Sequence, residues 1–526
     1  MESADLRTEN TKLKTRVIEL EALVKFYEEQ FRLSKHRRFG ASSEKSEYDQ
    51  ISIFNEAEAT ADANATEPEL TEIARHFRKR KRLINDRLPE NLPIEVVEHD
   101  LPKSEQICPE CGGDLHVMGR EKRRELVIIP AQVKIREHVR KTYACRDCET
   151  DECGVPIVKA PVDNPVIKGS FASPEAIAHI MCQKFVMGVP LYRQEQDWNR
   201  QGIMLSRQTM SNWLIKATED YLEPIYNGLR ELLMTYDVIH ADETTLQVLR
   251  EPGKAPQSKS YMWLYRTSGY NRAGLEVKHP IVLYEYQPSR RAKHAKDFLK
   301  DFKGYCHADG YYGYHSLPDN ITVVGCFAHA RRKWDESLKS LPKESYEISN
   351  VLRGKRYCDK LFEFERQFAD LTPAERFKQR QKLSKPLFDE FYKWLDSLGA
   401  VPKTPLGIAA NYMLKQRVYL ERYLLDGRLE ISNNRAERSI KPFVIGRKNF
   451  LFANTPRGAK ASAILFSMIE TAKECGFDPY AYLTYIFKNA PNLDIRNNIN
   501  HLERFMPYAA PQFCKSALLD ESFAGF

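Results

Sequence analysis

The stretch from Val238 to Leu249 (VIHADETTLQVL) is a short, mostly apolar run with two adjacent acids, Asp242 and Glu243, in its middle. In a β-strand, successive side chains point to opposite faces of the sheet, so the two carboxylates cannot share one face. A carboxylate that is buried without a partner is very costly in free energy. One of the two acids must therefore leave the core side or be held by a partner. For Asp242 we expect that partner to be a divalent metal ion.

The length and charge of the chain indicate several domains and a polyanionic partner. A chain of 526 residues is too long for a single hydrophobic core. Lys and Arg exceed Asp and Glu by 80 − 72 = 8, and the excess is clustered. Clustered basic charge predicts binding to a polyanion such as nucleic acid, although solvated faces are the alternative. The locally basic segments are Arg32 to Arg38, Arg75 to Arg87, Arg120 to Arg124 and Arg435 to Lys448.

The apolar runs and the cysteines of the sequence indicate in which cellular compartment the protein works. No apolar run reaches the roughly 18 residues that span a bilayer, and the polar N-terminus MESADLRTEN is unlike a signal peptide. The 11 cysteines are an odd number, and four of them form two CxxC pairs. This usage favours a reducing compartment and metal binding over a disulfide framework. We expect a cytoplasmic protein with no membrane partner.

The first 40 residues are predicted to form a coiled-coil oligomerisation helix. Their seam residues recur at alternating spacings of four and three, which is a heptad pattern. The alternative is a long amphipathic helix packed on its own chain. Residues 41–87 form a linker that is first acidic and then strongly basic. The seam consists of Leu6, Asn10, Leu13, Val17, Leu20, Val24, Tyr27 and Phe31.

Residues 88–165 are predicted to form a zinc-binding module. Two CxxC turns joined by a strand-like segment can close a tetrahedral four-thiolate site for a structural Zn²⁺ ion. The second pair begins 34 residues after the first ends, which is a wide spacing, so Cys153 and His138 are possible substitutes for one ligand. Surface cysteines without metal are the alternative. The four predicted ligands are Cys108, Cys111, Cys145 and Cys148.

Residues 166–232 are predicted to be helical and to bind DNA. Gly202 separates two helical patterns, and Ser206 is a good N-cap for the second. A helix, a glycine-containing turn and a second helix resemble a helix-turn-helix, with Arg207 and Gln208 on its polar face. An ordinary αα-hairpin is the alternative.

From residue 233 onward the pattern predicts an α/β fold. Residues 233–334 contain five strand-like segments and intervening helices, which indicates a mixed sheet covered by helices. Residues 335–428 are helical and charged, and we interpret them as an insertion. Residues 429–490 complete the same domain, and 491–526 form a C-terminal segment.

Three acids can be assembled around this sheet. Asp242 lies on the first strand, Asp309 at the end of the fourth, and Glu437 at the start of a helix beyond the insertion. Converging carboxylates suit Mg²⁺, which takes oxygen ligands, and two such ions can promote a phosphodiester displacement. Each acid has another interpretation. Asp309 begins a common turn pair, Glu437 can be a capping residue, and Glu243 can be the acid that seeks a partner.

Several sequence blocks together resemble the transposases of the insertion sequence 66 family. The CxxC pairs, the N-terminal helix and the segment RFGASSEKS are also similar, so the resemblance spans nearly the whole chain. It implies a DDE enzyme with a ribonuclease-H-like catalytic core, with Asp242, Asp309 and Glu437 as its acids. The blocks are VIHADETTLQV, YCHADGYYGY, CFAHARRKW, SNNRAERSIKPFVIGRKNFLFANTPRGAKASA and SMIETAKECGFDPYAYL.

The resemblance implies a bacterial, nucleoid-associated enzyme that uses Mg²⁺ or Mn²⁺. Such an enzyme binds the terminal repeats of an insertion sequence, cleaves the DNA and joins the 3′-hydroxyl ends to target DNA. It implies a homo-oligomer and accessory proteins encoded by the same element. Two alternatives are an inactive, zinc-containing DNA-binding regulator and a ribonuclease-H-like nuclease without strand transfer.

Basic groups near the acids suit a phosphate substrate, because phosphate contacts position DNA without reading its sequence. His329 either orients a water or an acid, or is a structural histidine. His240 shares the face of Asp242 and is expected to support the site, whereas Glu243 is expected to have a structural partner. The basic candidates are Arg331, Arg332, Lys333, Arg435, Arg438, Arg447 and Lys448.

Overall fold

A computed structural model describes residues 133–144, 157–342, 345–347 and 349–515. The predicted coiled coil, the linker and the four cysteines of the zinc module lie outside these residues. The chain divides into two compact units, one of which is Glu47–Pro161. In its described part, strands β1 (Thr142–Ala144) and β2 (Ile157–Lys159) pair antiparallel.

Four helices precede the sheet of the larger unit. Ser173 and Ser206 each accept a hydrogen bond from a backbone N–H in the first turn of the helix they cap, which satisfies a donor that the helix leaves free. The turn between the second and third helices contains Gly202 at φ +77°, a backbone conformation that favours glycine. The helices are α1 (Pro174–Phe185), α2 (Leu191–Arg200), α3 (Arg207–Ala217) and α4 (Glu223–Met234).

A five-stranded mixed sheet forms the centre of the larger unit. Its order is β5-β4-β3-β6-β7, with antiparallel pairing from β3 to β5 and parallel pairing from β3 through β6 to β7. The central position of β3 is consistent with its largely buried first half. The strands are β3 (Val238–Gln247), β4 (Lys259–Thr267), β5 (Val282–Gln287), β6 (Gly304–His307) and β7 (Ile321–Val324).

Three helices connect the strands or follow them, and four come after the insertion. The edge strand β5 is covered, because backbone N–H groups of Tyr284 and Val282 donate to the hydroxyls of Ser467 and Thr471 on α13 at 2.7 and 3.0 Å. The helices are α5 (Ala292–Phe298), α6 (Tyr312–His315), α7 (Phe327–Lys339), α12 (Asn434–Phe450), α13 (Pro456–Glu474), α14 (Pro479–Asn489) and α15 (Ile499–Glu503).

In its described residues, the segment that we interpret as an insertion contains four α-helices, and these build a second apolar core against α7. Trp334, Phe388 and Phe391 are buried in that core. The fully buried Arg380 forms a two-pronged ion pair with Glu365 and also donates to three backbone carbonyls, so its charge and donors are satisfied. The helices of the insertion are α8 (Asn350–Gln367), α9 (Pro373–Gln379), α10 (Lys385–Asp396) and α11 (Pro405–Glu421).

The predicted mixed α/β class is therefore confirmed for the larger unit. In the part of the chain that the structure describes, every helix is too short or too polar to cross a bilayer.

Candidate active site

The pairing of β3 with β6 brings two of the three predicted acids together. His240 lies opposite His307 in this parallel pair. Asp242 and Asp309 each come two residues after this last pair, and the charge of Asp309 acts on Asp242. Asp309 follows the end of β6, where its Oδ1 accepts the backbone N–H of Tyr311 at 2.9 Å. The turn interpretation of Asp309 is thus correct, and it is compatible with a place in the site.

The third acid, Glu437, comes from the first turns of α12. The residue before that helix, Asn433, is almost fully buried and makes no side-chain hydrogen bond to the helix start. Its side chain instead receives a hydrogen bond from His240 Nδ1 at 2.9 Å and donates to the carbonyl of Ala241 at 2.8 Å. Asn433 therefore ties the helix that carries Glu437 to the strand that carries Asp242. Glu437 is not one half of a capping box.

A stacked pair of histidines supports this junction. The rings of His240 and His307 lie 4.4 Å apart and nearly parallel, and both side chains are fully buried. Burial lowers the pKa of each well below its usual value of 6.5, with Arg435 acting in the same direction on His240. Both rings are therefore neutral at physiological pH. Because His240 donates from Nδ1, its Nε2 is the unprotonated nitrogen.

Electrostatics around Asp242 show that the acids repel one another. Burial raises the pKa of Asp242 well above its usual value of 3.8, and the charges of Glu243, Asp309 and Glu437 raise it further. The backbone N–H of Glu243 donates to Asp242 Oδ1 at 2.8 Å and opposes this shift. A divalent cation would remove the repulsion, because its charge favours the ionised form of all three carboxylates.

One carboxylate oxygen of Glu437 is available to bind a cation. Its Oε1 is buried and has no hydrogen-bond partner among the described residues. Arg332 and His329 lie 3.5 Å from its two oxygens, outside close hydrogen-bonding distance. Carboxylate oxygens are the ligands that a hard cation such as Mg²⁺ prefers, so the chemistry of Asp242, Asp309 and Glu437 suits such an ion.

Glu243, on the opposite face of β3, has protein partners as predicted. Arg290 Nη2 lies 2.5 Å from its Oε1, and the hydroxyl of Tyr314 donates to its Oε2 at 2.5 Å. Burial and Asp309 raise the pKa of Glu243, whereas Arg290 and Tyr314 lower it. The expected structural partner of Glu243 is therefore present.

The structure adds Cys326, which sequence reasoning did not single out. Cys326 lies directly before α7, and its sulfur accepts the backbone N–H of Asn433 at 3.1 Å. Burial raises the pKa of its thiol to about 12. Its sulfur, His329 Nδ1 and Glu437 Oε1 all lie within 4.8 Å of one another. The spacing Cys-x-x-His in CFAHARRKW is the signal that could have identified it, whereas no sequence signal connects Cys326 with Asn433.

The predicted DNA contacts near the acids have protein neighbours. Arg331 pairs with Asp359, Lys333 with Glu336, and Arg435 with Glu430. Arg438 and Lys448 are exposed on α12, whereas Arg447 of the same helix bonds Thr244 and Thr245 of β3. Arg447 therefore holds α12 against β3.

The two candidates on α3 are exposed at its start. The guanidinium of Arg207 lies over the ring of Tyr192 at 5.5 Å, and Gln208 donates to Asn212 at 3.1 Å. The N-cap of α3 is Ser206, as predicted.

Comparison with protein families matches the model described as "Transposase IS66 family" to residues 169–461, more than half of the chain. The chain belongs to the IS66 family of transposases. Three further models of this kind match along it. The "zinc-finger binding domain of transposase IS66" matches residues 105–149, which include all four predicted zinc ligands, and the "Transposase C of IS166 homeodomain" matches 27–97. The "IS66 C-terminal element" matches 467–508.

Similar proteins occur in Sinorhizobium fredii (strain NBRC 101917 / NGR234). The uncharacterized protein y4jD is 30% identical over 433 residues, covering 80% of this chain and 81% of the relative. The uncharacterized protein y4hP is 30% identical over 420 residues, covering 77% and 73%. Membership in a transposase family implies DNA as a partner, and the zinc-finger match suggests metal use.

Proposed function

We propose that this IS66-family transposase cleaves DNA at the ends of an insertion sequence and joins the resulting 3′-hydroxyls to target DNA. The observation that supports the proposal is that the charges of Asp309 and Glu437, which come from two other elements, act on Asp242 of β3. Burial raises the pKa of Asp242 most, and the charges of Glu243, Asp309 and Glu437 raise it further, a state that a bound cation would relieve.

The sheet supports a ribonuclease-H-like core. Its first three strands are antiparallel, its last two are parallel to the first, and the acids lie on the first strand and just after the fourth. The third acid lies on a helix after the helical insertion, which is the order that the family resemblance implies.

The residues of the chain orient the acids for this chemistry. Asn433 and the neutral His240 fix the start of α12 against β3. From that helix, the charge of Glu437 acts on Asp242. Asp242, Asp309 and Glu437 would hold Mg²⁺ or Mn²⁺, and the chemistry that such a metal ion would supply is activation of the attacking oxygen and stabilisation of the leaving one. His329 and Arg332 flank Glu437, each with a nitrogen 3.5 Å from one of its carboxylate oxygens.

DNA binding is proposed to involve several parts of the chain. The zinc module, with Zn²⁺ on Cys108, Cys111, Cys145 and Cys148, and helices α2 and α3 would bind the terminal repeats. Basic side chains along α7 and α12 would contact the phosphates around the cut. An N-terminal coiled coil would bring two copies together in the cytoplasm, at the nucleoid, where accessory proteins of the same element would join them. The basic side chains are Arg331, Arg332, Lys333, Arg435, Arg438, Arg447 and Lys448, with Arg207 and Gln208 on α3.

A cleavage and joining assay tests the proposal. The full chain is incubated with Mg²⁺ and the natural ends of its element, or with pre-cut ends and target DNA. We expect cleavage that leaves 3′-hydroxyls, and joined products from the pre-cut ends. The Asp242→Asn variant should bind the ends normally but neither cleave nor join.

Each other outcome has a distinct meaning. Cleavage at the normal rate by Asp242→Asn would overturn the site assignment. Cleavage without joined product would instead identify a nuclease without strand transfer. Binding without either reaction in the parent protein would identify an inactive DNA-binding regulator.

A further inference from the structure

Three side-chain atoms that can bind a metal ion lie close together around Glu437. They are the sulfur of Cys326, Nδ1 of His329 and Oε1 of Glu437, all within 4.8 Å of one another. Cys326 and His329 come from the start of α7, and Glu437 comes from the start of α12. The two helix starts therefore present a thiol, an imidazole and a carboxylate to one point.

Two of these atoms lack partners of their own. Neither His329 Nδ1 nor Glu437 Oε1 has a hydrogen-bond partner among the described residues, although both atoms are buried. They face each other at 3.5 Å. Buried polar atoms without partners cost free energy, and a cation between them would satisfy both.

Cys326 offers a sulfur whose thiol proton a bound cation would displace. This sulfur accepts the backbone N–H of Asn433 at 3.1 Å. The same N–H would remain a donor to a metal-bound thiolate.

The donor set is unlike that of the proposed magnesium site. Thiolate and imidazole select softer divalent ions such as Zn²⁺, whereas Mg²⁺ prefers oxygen alone. Three protein ligands with one open position are an accepted arrangement for zinc. We propose that a thiophilic divalent cation binds Cys326, His329 and Glu437, and that it thereby withholds Glu437 from the magnesium site and inhibits the enzyme.

Exposure defines the route by which the ion enters. The side chains of His329 and Glu437 are 25% and 30% exposed, whereas Cys326 is 1% exposed. The ion would reach Glu437 and His329 first and then bind the sulfur, with release of the thiol proton to solvent. The binding step does not depend on the proposed function, but the inhibition step rests on it.

Binding is tested with cobalt as a spectroscopic substitute for zinc. The full chain is first loaded with Zn²⁺ so that the cysteines of the zinc module are occupied, and weakly bound metal is removed. Titration with Co²⁺ should then give a sulfur-to-cobalt charge-transfer band in the near ultraviolet. The band should persist in Cys358→Ser, which changes a buried cysteine of the insertion, and disappear in Cys326→Ser.

A second variant keeps this test decisive if Cys326→Ser does not fold. His329→Gln should weaken cobalt binding by roughly 10–100-fold, the range expected when support of a metal site is lost. Absence of the band in the parent, or a band of full strength in Cys326→Ser, would overturn the proposed site.

Inhibition is tested in the cleavage assay, with each variant compared with its own rate in Mg²⁺ alone. Added Zn²⁺ should slow the parent and Cys358→Ser, and more Mg²⁺ should restore the rate. Cys326→Ser should need at least roughly tenfold more Zn²⁺ for the same inhibition. If Zn²⁺ inhibits the parent and Cys326→Ser equally, the proposal that the two metal sites share Glu437 is wrong. If no protein cleaves DNA, the proposed function fails, and the cobalt spectrum still decides the site.

Discussion

The two faces of strand β3 surround two neighbouring carboxylates with different groups. On one face, Glu243 is held by the guanidinium of Arg290 and the hydroxyl of Tyr314. On the other face, burial raises the pKa of Asp242, and the charges of Glu243, Asp309 and Glu437 raise it further. Arg290 and Tyr314 offset part of the cost of the Glu243 charge, whose pKa burial and Asp309 still raise. Among the described residues, no cation is one of the groups that act most strongly on Asp242, and under the proposed function a cation from solution would supply such a partner.

This difference shows how one dipeptide can serve both the fold and the chemistry. The alternation of a strand separates Asp242 from Glu243, and the elements on each face then decide their roles. The face with α5 and α6 provides a cation and a hydrogen-bond donor, whereas the face with α12 adds another acid. One carboxylate therefore has a structural partner, and the neighbouring one is the proposed metal ligand.

The largest expected effect comes from a matched pair of glutamate-to-glutamine changes. Glu437→Gln should reduce the rate of end cleavage by about 10³-fold or more, since metal stabilisation of the transition state is worth several kcal/mol. Glu243→Gln should lower the free energy of unfolding by on the order of 1–2 kcal/mol, discounted for the solvent at Arg290. Cleavage rates and denaturant titrations of both variants check this. An equal loss of cleavage in both would break the contrast between the faces.

The pH dependence of stability should reflect the raised pKa of Asp242. Because the folded pKa lies above the usual 3.8, Asp242 stabilises the fold most below that pH and progressively less as the pH rises towards its folded pKa. Without metal at neutral pH, Asp242→Asn should therefore raise the free energy of unfolding and the Tm relative to the parent.

Thermal unfolding from pH 4 to 8, with and without Mg²⁺, measures this effect. The difference between the parent and Asp242→Asn cancels the contribution of the buried histidines. Mg²⁺ should raise the Tm of the parent more than that of the variant. If Asp242→Asn is less stable than the metal-free parent at pH 8, repulsion between Asp242 and its neighbouring acids does not destabilise the fold.

Asn433 is expected to position Glu437 rather than to touch the substrate. Asn433→Ala leaves His240 Nδ1 and the carbonyl of Ala241 without partners, which costs about 1–3 kcal/mol. It should also raise the Mg²⁺ concentration needed for half-maximal cleavage by roughly tenfold. The exposed Asn449 of the same helix provides the control Asn449→Ala. A stability loss with unchanged Mg²⁺ dependence would make Asn433 purely structural.

The smallest effect is expected at exposed basic residues of α12. Lys448→Ala and Arg438→Ala should each weaken DNA binding and reduce the slope of log affinity against log salt by about one. Lys300→Ala, at an exposed position after α5, should leave that slope unchanged. Fluorescence anisotropy at several salt concentrations measures the slopes. Equal slopes for the parent and both α12 variants would show that Lys448 and Arg438 do not contact DNA.

Much of the larger unit could be predicted from local sequence. The alternation in β3, the N-cap at Ser206 and the charged helices of the insertion depend on neighbours within a few residues. The separation of Asp242 from Glu243 likewise follows from strand geometry alone.

The contacts that hold the acids in place could not be predicted, because they join residues that are far apart in the sequence. Asn433 contacts His240 across 193 residues and Cys326 across 107. The sequence around Asn433 suggests a helix cap, yet its side chain bonds to β3 instead. A local capping signal was outweighed by the buried polar groups of the sheet, which required partners.

Under the proposed function, the Asp242 face of β3 binds a cation that the Glu243 face does not need. Electron paramagnetic resonance of free Mn²⁺, titrated with zinc-loaded full-length protein, tests it directly. The parent and Glu243→Gln should bind Mn²⁺ with similar affinity, and Asp242→Asn should bind it at least roughly tenfold more weakly. Unchanged Mn²⁺ binding by Asp242→Asn, or loss of binding in Glu243→Gln, would contradict the account.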